Sequence, residues 1–127
     1  MRDSVGLIGG LAMIALHWER PAGNGWHKLD SIDITKIRTI GIFIIWHEGD
    51  PGRVIRVCQG DVGRQLQLEQ ISPPVLRYRV FGELCVTWAS VPASFRNGVE
   101  RYLANLLRPQ VGESYPLTLP LAANSPL

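Results

Sequence analysis

Arginine dominates the side chains of this 127-residue chain that could do chemistry, supplying eleven of its 13 basic residues against 11 acidic ones and three histidines. A guanidinium's planar fork grips phosphate with paired hydrogen bonds, so such residues suit a phosphorylated partner, although an Arg-rich surface also follows from genome composition. Arg77 and Arg79 flank Tyr78 and alternate as a strand would, which places both guanidinium groups on one face. That face is either a phosphate contact or an exposed sheet edge. Arg56 stands in "RVIRVCQ" and Arg64 in "QGDVGRQL". His47 closes an apolar run, and its type can change charge near neutral pH, either as a turn histidine or as a base. Glu100, in "GVERYLANLLRP", comes four residues after Arg96 and next to Arg101, the spacing of a solvated helix ion pair. His17, His27 and His47 are scattered, and with Cys58 and Cys85 the only cysteines, nothing has the spacing of a zinc site.

These groups must be positioned by a small scaffold. At 127 residues and 46% hydrophobic, the chain can bury one core and is too short for two ordinary domains. The run "GIFIIWH" is continuously apolar and β-branched, which predicts a strand buried on both faces and central in its sheet. "EGDPG" carries turn chemistry and "RVIRVCQ" alternates, so residues 41–47 and 53–59 make a β-hairpin. Asp61 caps a short helix in which Val62, Leu66 and Glu69 recur at helical spacing, and "SPP" ends it. "LCVTWASV" predicts a third strand over residues 84–91. Phe95, Val99, Leu103, Leu106 and Leu107 specify an amphipathic helix that stops before Pro109. The tail to Leu127 has no period and is expected to pack as an irregular arm.

The first forty residues are harder to read. Val5 to Leu16 is apolar or Gly throughout, but twelve residues rise only about 18 Å as a helix, short of a bilayer's core. Neither a basic leader nor a small-x-small cleavage site precedes "HWERP", so the segment reads as a flexible Gly-containing lead and a strand near residues 11–18, turned by "RPAGNG". "WHKLDSIDITKIRTI" is open between a short strand and a helical turn. The prediction is an α+β fold: a small antiparallel β-sheet of three core strands, with a fourth available from the N-terminal region, flanked by helices. Residues 1–40 form an N-terminal extension that packs as one unit with residues 41–127.

Hairpin, capped helix, connecting segment, strand and amphipathic helix follow one another in the order found in the GIY-YIG nuclease superfamily, which the chain resembles over residues 41 to about 124. Gly41-Ile42-Phe43 is similar to the family's first triplet, with Phe for Tyr, and Arg56-Val57-Cys58 takes the place of the second. The family's helix arginine falls at Gln65, with Arg64 one position early, a rotation of about 100° on a helix. Glu100 is similar to its metal-binding Glu, and Asn124 to its terminal Asn. The resemblance implies phosphodiester hydrolysis, in which a tyrosine helps activate water, an arginine supports the phosphate and a single Glu holds one Mg²⁺ or Mn²⁺. His47 or Tyr78 would have to replace the missing tyrosine.

With both tyrosines lost, the expectation is a catalytically weak or inactive GIY-YIG-like domain serving as a nucleic-acid or protein interaction module. The alternative is an active, divergent, divalent-metal-dependent DNA endonuclease using Glu100 with Arg56, Arg64 and His47, and Arg77 and Arg79 on the nucleic acid. DNA is the candidate partner, with a protein partner open for the module, and no membrane is expected. A homodimer through a face carrying Leu84, Val86 and Trp88 is a further expectation. The net charge of +2 is too small to argue for nucleic acid alone. Two thiols in apolar runs suit a reducing compartment, which points to the cytoplasm.

Overall fold

The computed structural model describes residues 4–8, 11–112 and 114–127, with side chains from Met13 onward. Two strands, β1 (Ser4–Ile8) and β2 (Leu11–Ala15), pair as an antiparallel ribbon. The lead expected to be flexible therefore contains a strand, while Gly9 and Gly10 lie outside the described residues. After the "RPAGNG" turn come β3 (His27–Lys28) and a 3-10 turn at Ile34–Lys36, so the ambiguous segment holds one short piece of each kind. The hairpin follows as β4 (Ile40–His47) and β5 (Arg53–Asp61), then α1 (Val62–Glu69), the single turn α2 (Pro73–Leu76), a 3-10 turn at Arg77–Phe81, β6 (Leu84–Ser90) and α3 (Ala93–Leu107).

The main sheet is antiparallel with spatial order β3-β6-β4-β5. β4 is interior, as its two-sided apolar run requires, and every residue from Gly41 to His47 is buried. The fourth strand is β3 rather than the segment near residues 11–18, because β2 pairs with β1 in a separate ribbon. Gly41 is needed where β4 meets β6: a Cβ there would overlap the Ala89 carbonyl oxygen and lie 2.9 Å from the Val91 nitrogen.

Each face of the sheet builds its own core. Ile42, Ile44 and Trp46 pack with Val99 and Leu103 of α3 and with Ile14, Leu16 and Trp18 of the N-terminal region. Phe43, Ile45 and Ile55 face the other way, against Val62 and Leu66 of α1, Val75, Leu29 and Ile37. A bulge opposite Ile45 and Trp46 lets β5 change faces between Val54 and Ile55, so both side chains reach a core. Leu84, Val86 and Trp88 are buried against this second core, so the face expected to carry a dimer contact is already covered within the chain.

Residues 108–127 wrap the molecule. Arg108 adopts a left-handed conformation that turns the chain off α3, and the amides of Gln110 and Val111 then bond the carbonyls of Val54 and Ile55 at 3.2 and 2.8 Å. This covers part of the unpaired edge of β5. Further on, Ala123 bridges Ile14, and the Asn124 side chain accepts from the Leu16 amide and donates to its carbonyl. The terminal Asn thus ties the tail to the N-terminal region.

Candidate functional site

A cleft of about 390 Å³ opens where the tail leaves the edge of β5, lined by Arg56 and Cys58 of β5, Glu69 at the end of α1, Ser72, Glu100 of α3 and Tyr115. Local folding explains each member. Asp61 caps α1 by accepting from the Arg64 amide at 3.3 Å, which fixes the helix phase so that Val62, Leu66 and Glu69 share its buried face. The last of these is a carboxylate, and it meets Arg56 as an ion pair. On α3, Val99 and Leu103 take the core and Glu100 follows at the margin, buried against β5 with 7% of its surface exposed. Its Oε1 accepts from the Gln59 side-chain amide at 2.5 Å, and the same amide donates to Asn97 at 2.8 Å.

Burial is the leading electrostatic influence throughout the cleft. It raises the pKa of Glu69 against the opposing pull of Arg56, and that of Glu100 against the Gln59 hydrogen bond and Arg56. Both carboxyls therefore hold a proton to higher pH than a solvated Glu would. Burial also raises the Cys58 thiol and the Tyr115 phenol, so neither is an activated nucleophile. The Tyr115 hydroxyl is buried without a hydrogen-bond partner among the described residues. Gly112 makes room for it, since a Cβ at that left-handed position would overlap the hydroxyl.

The residues singled out in the sequence are distributed among three places. Glu100 and Arg56 share the cleft. Arg64 lies in a separate groove with Asp61, Arg38 and Gln67, so Arg64 and Glu100 do not line a common surface. His47 is buried at the far end of the hairpin, opposite Arg53 rather than near Gln59, and stacks on Phe81. Arg77 and Arg79 do not alternate on a strand: they belong to a 3-10 turn, because Pro73 and Pro74 start a new helical turn that the following residues continue. Arg79 pairs with Asp30 at 3.6 Å and Arg77 lies 5.2 Å from the centre of the Tyr78 ring. The ion pair anticipated between Glu100 and Arg96 is not formed, since Arg96 donates twice to the Val91 carbonyl, at 2.9 and 3.2 Å. Phe43 is fully buried under α1, outside the cleft.

Among the polar groups that shape the cleft, Glu69 and Tyr115 in its lining and Gln59 behind Glu100 are not singled out as candidates by the sequence. Glu69 carried a readable signal, a carboxylate on an otherwise apolar helical stripe, which requires a buried partner. As a metal site the cleft offers Glu100, whose Oε1 already accepts from Gln59, and Glu69, which faces a cation. Among the described residues no three His, Cys, Asp or Glu side chains gather as a ligand set. No described helix is long and apolar enough to cross a membrane. Compared with models of protein families, with curated proteins and with solved structures, the chain matches none.

Proposed function

We propose that the chain is a GIY-YIG-like domain whose hydrolytic chemistry is weak or lost and which acts as an interaction module, with nucleic acid as its partner. The observation that carries this reading is the engagement of Arg56. The guanidinium at the second triplet's position is held at its Nε by the buried Glu69, so part of its charge is already neutralised toward a phosphate entering the cleft. One oxygen of Glu100 already accepts from the neutral Gln59 amide. Arg64, the nearest substitute for the family's helix arginine, faces another groove. Water activation and phosphate support each contribute about a hundredfold or more, so a site without either group hydrolyses near background.

A second reading has one specific observation in its favour. Tyr115 brings a buried, unpartnered hydroxyl into the cleft that holds Glu100, supplying from the tail a phenol that the two triplets lack. On this reading the chain is a divergent endonuclease with Glu100 holding Mg²⁺ or Mn²⁺.

Plasmid nicking with either ion, alongside duplex and single-strand binding, separates the two. The module reading expects binding of nucleic acid with no nicking above that of Glu100→Ala. Nicking that disappears in both Glu100→Ala and Tyr115→Phe overturns it in favour of the nuclease, and failure to bind any nucleic acid removes the proposed partner.

A further inference from the structure

At the turn end of the hairpin, away from the Glu100 cleft, lies a larger cleft of about 730 Å³. Its lining includes His47, Asp50, Arg53, Tyr78, Val80 and Phe81. The volume suits a nucleotide-sized ligand. Two features set it apart from an ordinary surface recess.

The first is His47. Only 2% of its surface is exposed, its Nδ1 accepts from the Gly49 amide at 3.1 Å, and its Nε2 is buried with no hydrogen-bond partner among the described residues. An imidazole whose Nδ1 is an acceptor carries its proton on Nε2, so the unpartnered atom is an N–H donor. Burial, followed by the field of Arg53, lowers the pKa of His47, which keeps this neutral form. A buried donor without an acceptor costs stability unless a ligand supplies one.

The second is the arrangement of flat rings. The imidazole plane lies within 24° of Phe81 and 18° of Tyr78, with ring centres 5.4 and 6.4 Å away. A planar group accepting in its own plane from Nε2–H continues the imidazole plane and is thereby held parallel to both aromatic rings. Phe81 and Val80 remain 60% and 80% exposed, an unusual outlay of apolar surface beside a buried polar atom. Arg53 is exposed on the same cleft, and Asp50 supplies an acceptor for a ring or exocyclic N–H.

We infer that this cleft is a nucleobase site: an unpaired base stacks on Phe81 and Tyr78, accepts from His47 Nε2–H after the exposed Phe81 ring shifts to uncover that buried atom, and sets its phosphate against Arg53. Every base offers an in-plane ring nitrogen or carbonyl acceptor, so the site recognises an unstacked base and not one identity. A base within a duplex cannot present that edge while stacked. The base can come from a free nucleotide or from a single strand. The inference rests on the interaction-module reading for the class of partner, but not on the Glu100 cleft.

The test is a nuclear magnetic resonance titration of histidine- and phenylalanine-labelled protein with uridine monophosphate, with a short oligothymidylate and with a duplex. Shifts at His47 and Phe81 with either of the first two are expected. Saturation by the mononucleotide identifies a nucleotide site, and response to the oligonucleotide alone identifies a single-strand site. Phe81→Ala should weaken binding about fivefold or more, Phe81→Trp should restore it, and Ile71→Ala, on another exposed apolar residue, should leave it unchanged. Arg53→Gln should weaken the nucleotide and not the uncharged nucleoside. Phe81, Arg53 and Ile71 are exposed, so these variants keep the fold. Nucleic-acid binding that leaves His47 and Phe81 unshifted, or that is equal in wild type and Phe81→Ala, overturns the site while the module reading stands. Absence of any binding overturns both.

Discussion

Arg56→Ala isolates the electrostatics of the Glu100 cleft. Glu69 is 7% exposed and Arg56 is its only ion-pair partner among the described residues, so truncation leaves a carboxylate buried without a counter-charge. Breaking a buried pair in this way costs roughly 3–5 kcal/mol. The low end, about 3 kcal/mol, applies here because Arg56 keeps 28% of its side chain exposed and water can enter where it was. The loss depends on pH with a definite sign. Burial already raises Glu69 above the ordinary 4.5, and without Arg56 it rises further. A carboxyl with a raised folded pKa contributes stability that is fully present below 4.5 and lost as pH climbs through the folded value. Urea denaturation of Arg56→Ala should therefore show a deficit that is small at pH 4.5 and grows as pH rises toward and past neutrality. Adding Glu69→Gln should return the protein to within about 1 kcal/mol of wild type near neutral pH. Equal deficits at the two pH values, or simple additivity of the two changes, would refute a buried pair.

Tyr115→Phe should leave stability unchanged or raise it by up to about 1 kcal/mol in thermal melts, because it deletes a buried hydroxyl that has no partner; a clear loss would mean that the hydroxyl is bonded. His27 and His47 should titrate with midpoints below 6.5, since burial lowers both, against Glu19 for the first and with Arg53 for the second. Their share of stability is then complete above 6.5 and lost as pH falls through those midpoints, so a midpoint at or above 6.5 contradicts the burial argument. Gly41→Ala should yield little folded protein, because its Cβ would meet the backbone of Ala89 and Val91 in a paired strand; a soluble, cooperative variant would mean that the β4–β6 register is wrong.

The scaffold was legible because its signals are local and strong. "GIFIIWH" is too apolar for any strand but a central one, and Asp61 fixes the start of α1 within a residue. The misreadings have equally specific causes. Alternation of Arg77 and Arg79 mimicked a strand because period two and a turn of 3-10 helix cannot be told apart over three residues, and Pro73-Pro74 decided the matter. The strand expected near residues 11–18 is present as Leu11–Ala15, but nothing local says that its partner is Ser4–Ile8 and not the main sheet. Tyr115 could not have been placed, because an aperiodic tail gives no phase by which to aim a side chain. Glu69 could have been, from Val62 and Leu66 on the same stripe.

The two clefts differ in what they ask of an anion. A phosphate at Arg56 shares the guanidinium with Glu69, whose negative charge opposes it unless the carboxyl takes up a proton, as its raised pKa allows. The opposition weakens as pH falls, so phosphate affinity at the Glu100 cleft rises toward acid. At the hairpin turn the cation, Arg53, is on the surface, and the buried partner waiting for the ligand is a neutral donor. Binding there displaces water, and it does not gain with acid in the same way. Protonating His47 would require breaking its bond from the Gly49 amide, because a doubly protonated imidazole has no acceptor to offer. Nucleic-acid affinity measured from neutral pH downward therefore distinguishes the two clefts. A gain toward acid that vanishes in Arg56→Gln points to the Glu100 cleft, whereas binding that shifts the His47 resonance and is weakened by Phe81→Ala points to the base site, since protonation at Nδ1 leaves its Nε2–H donor in place.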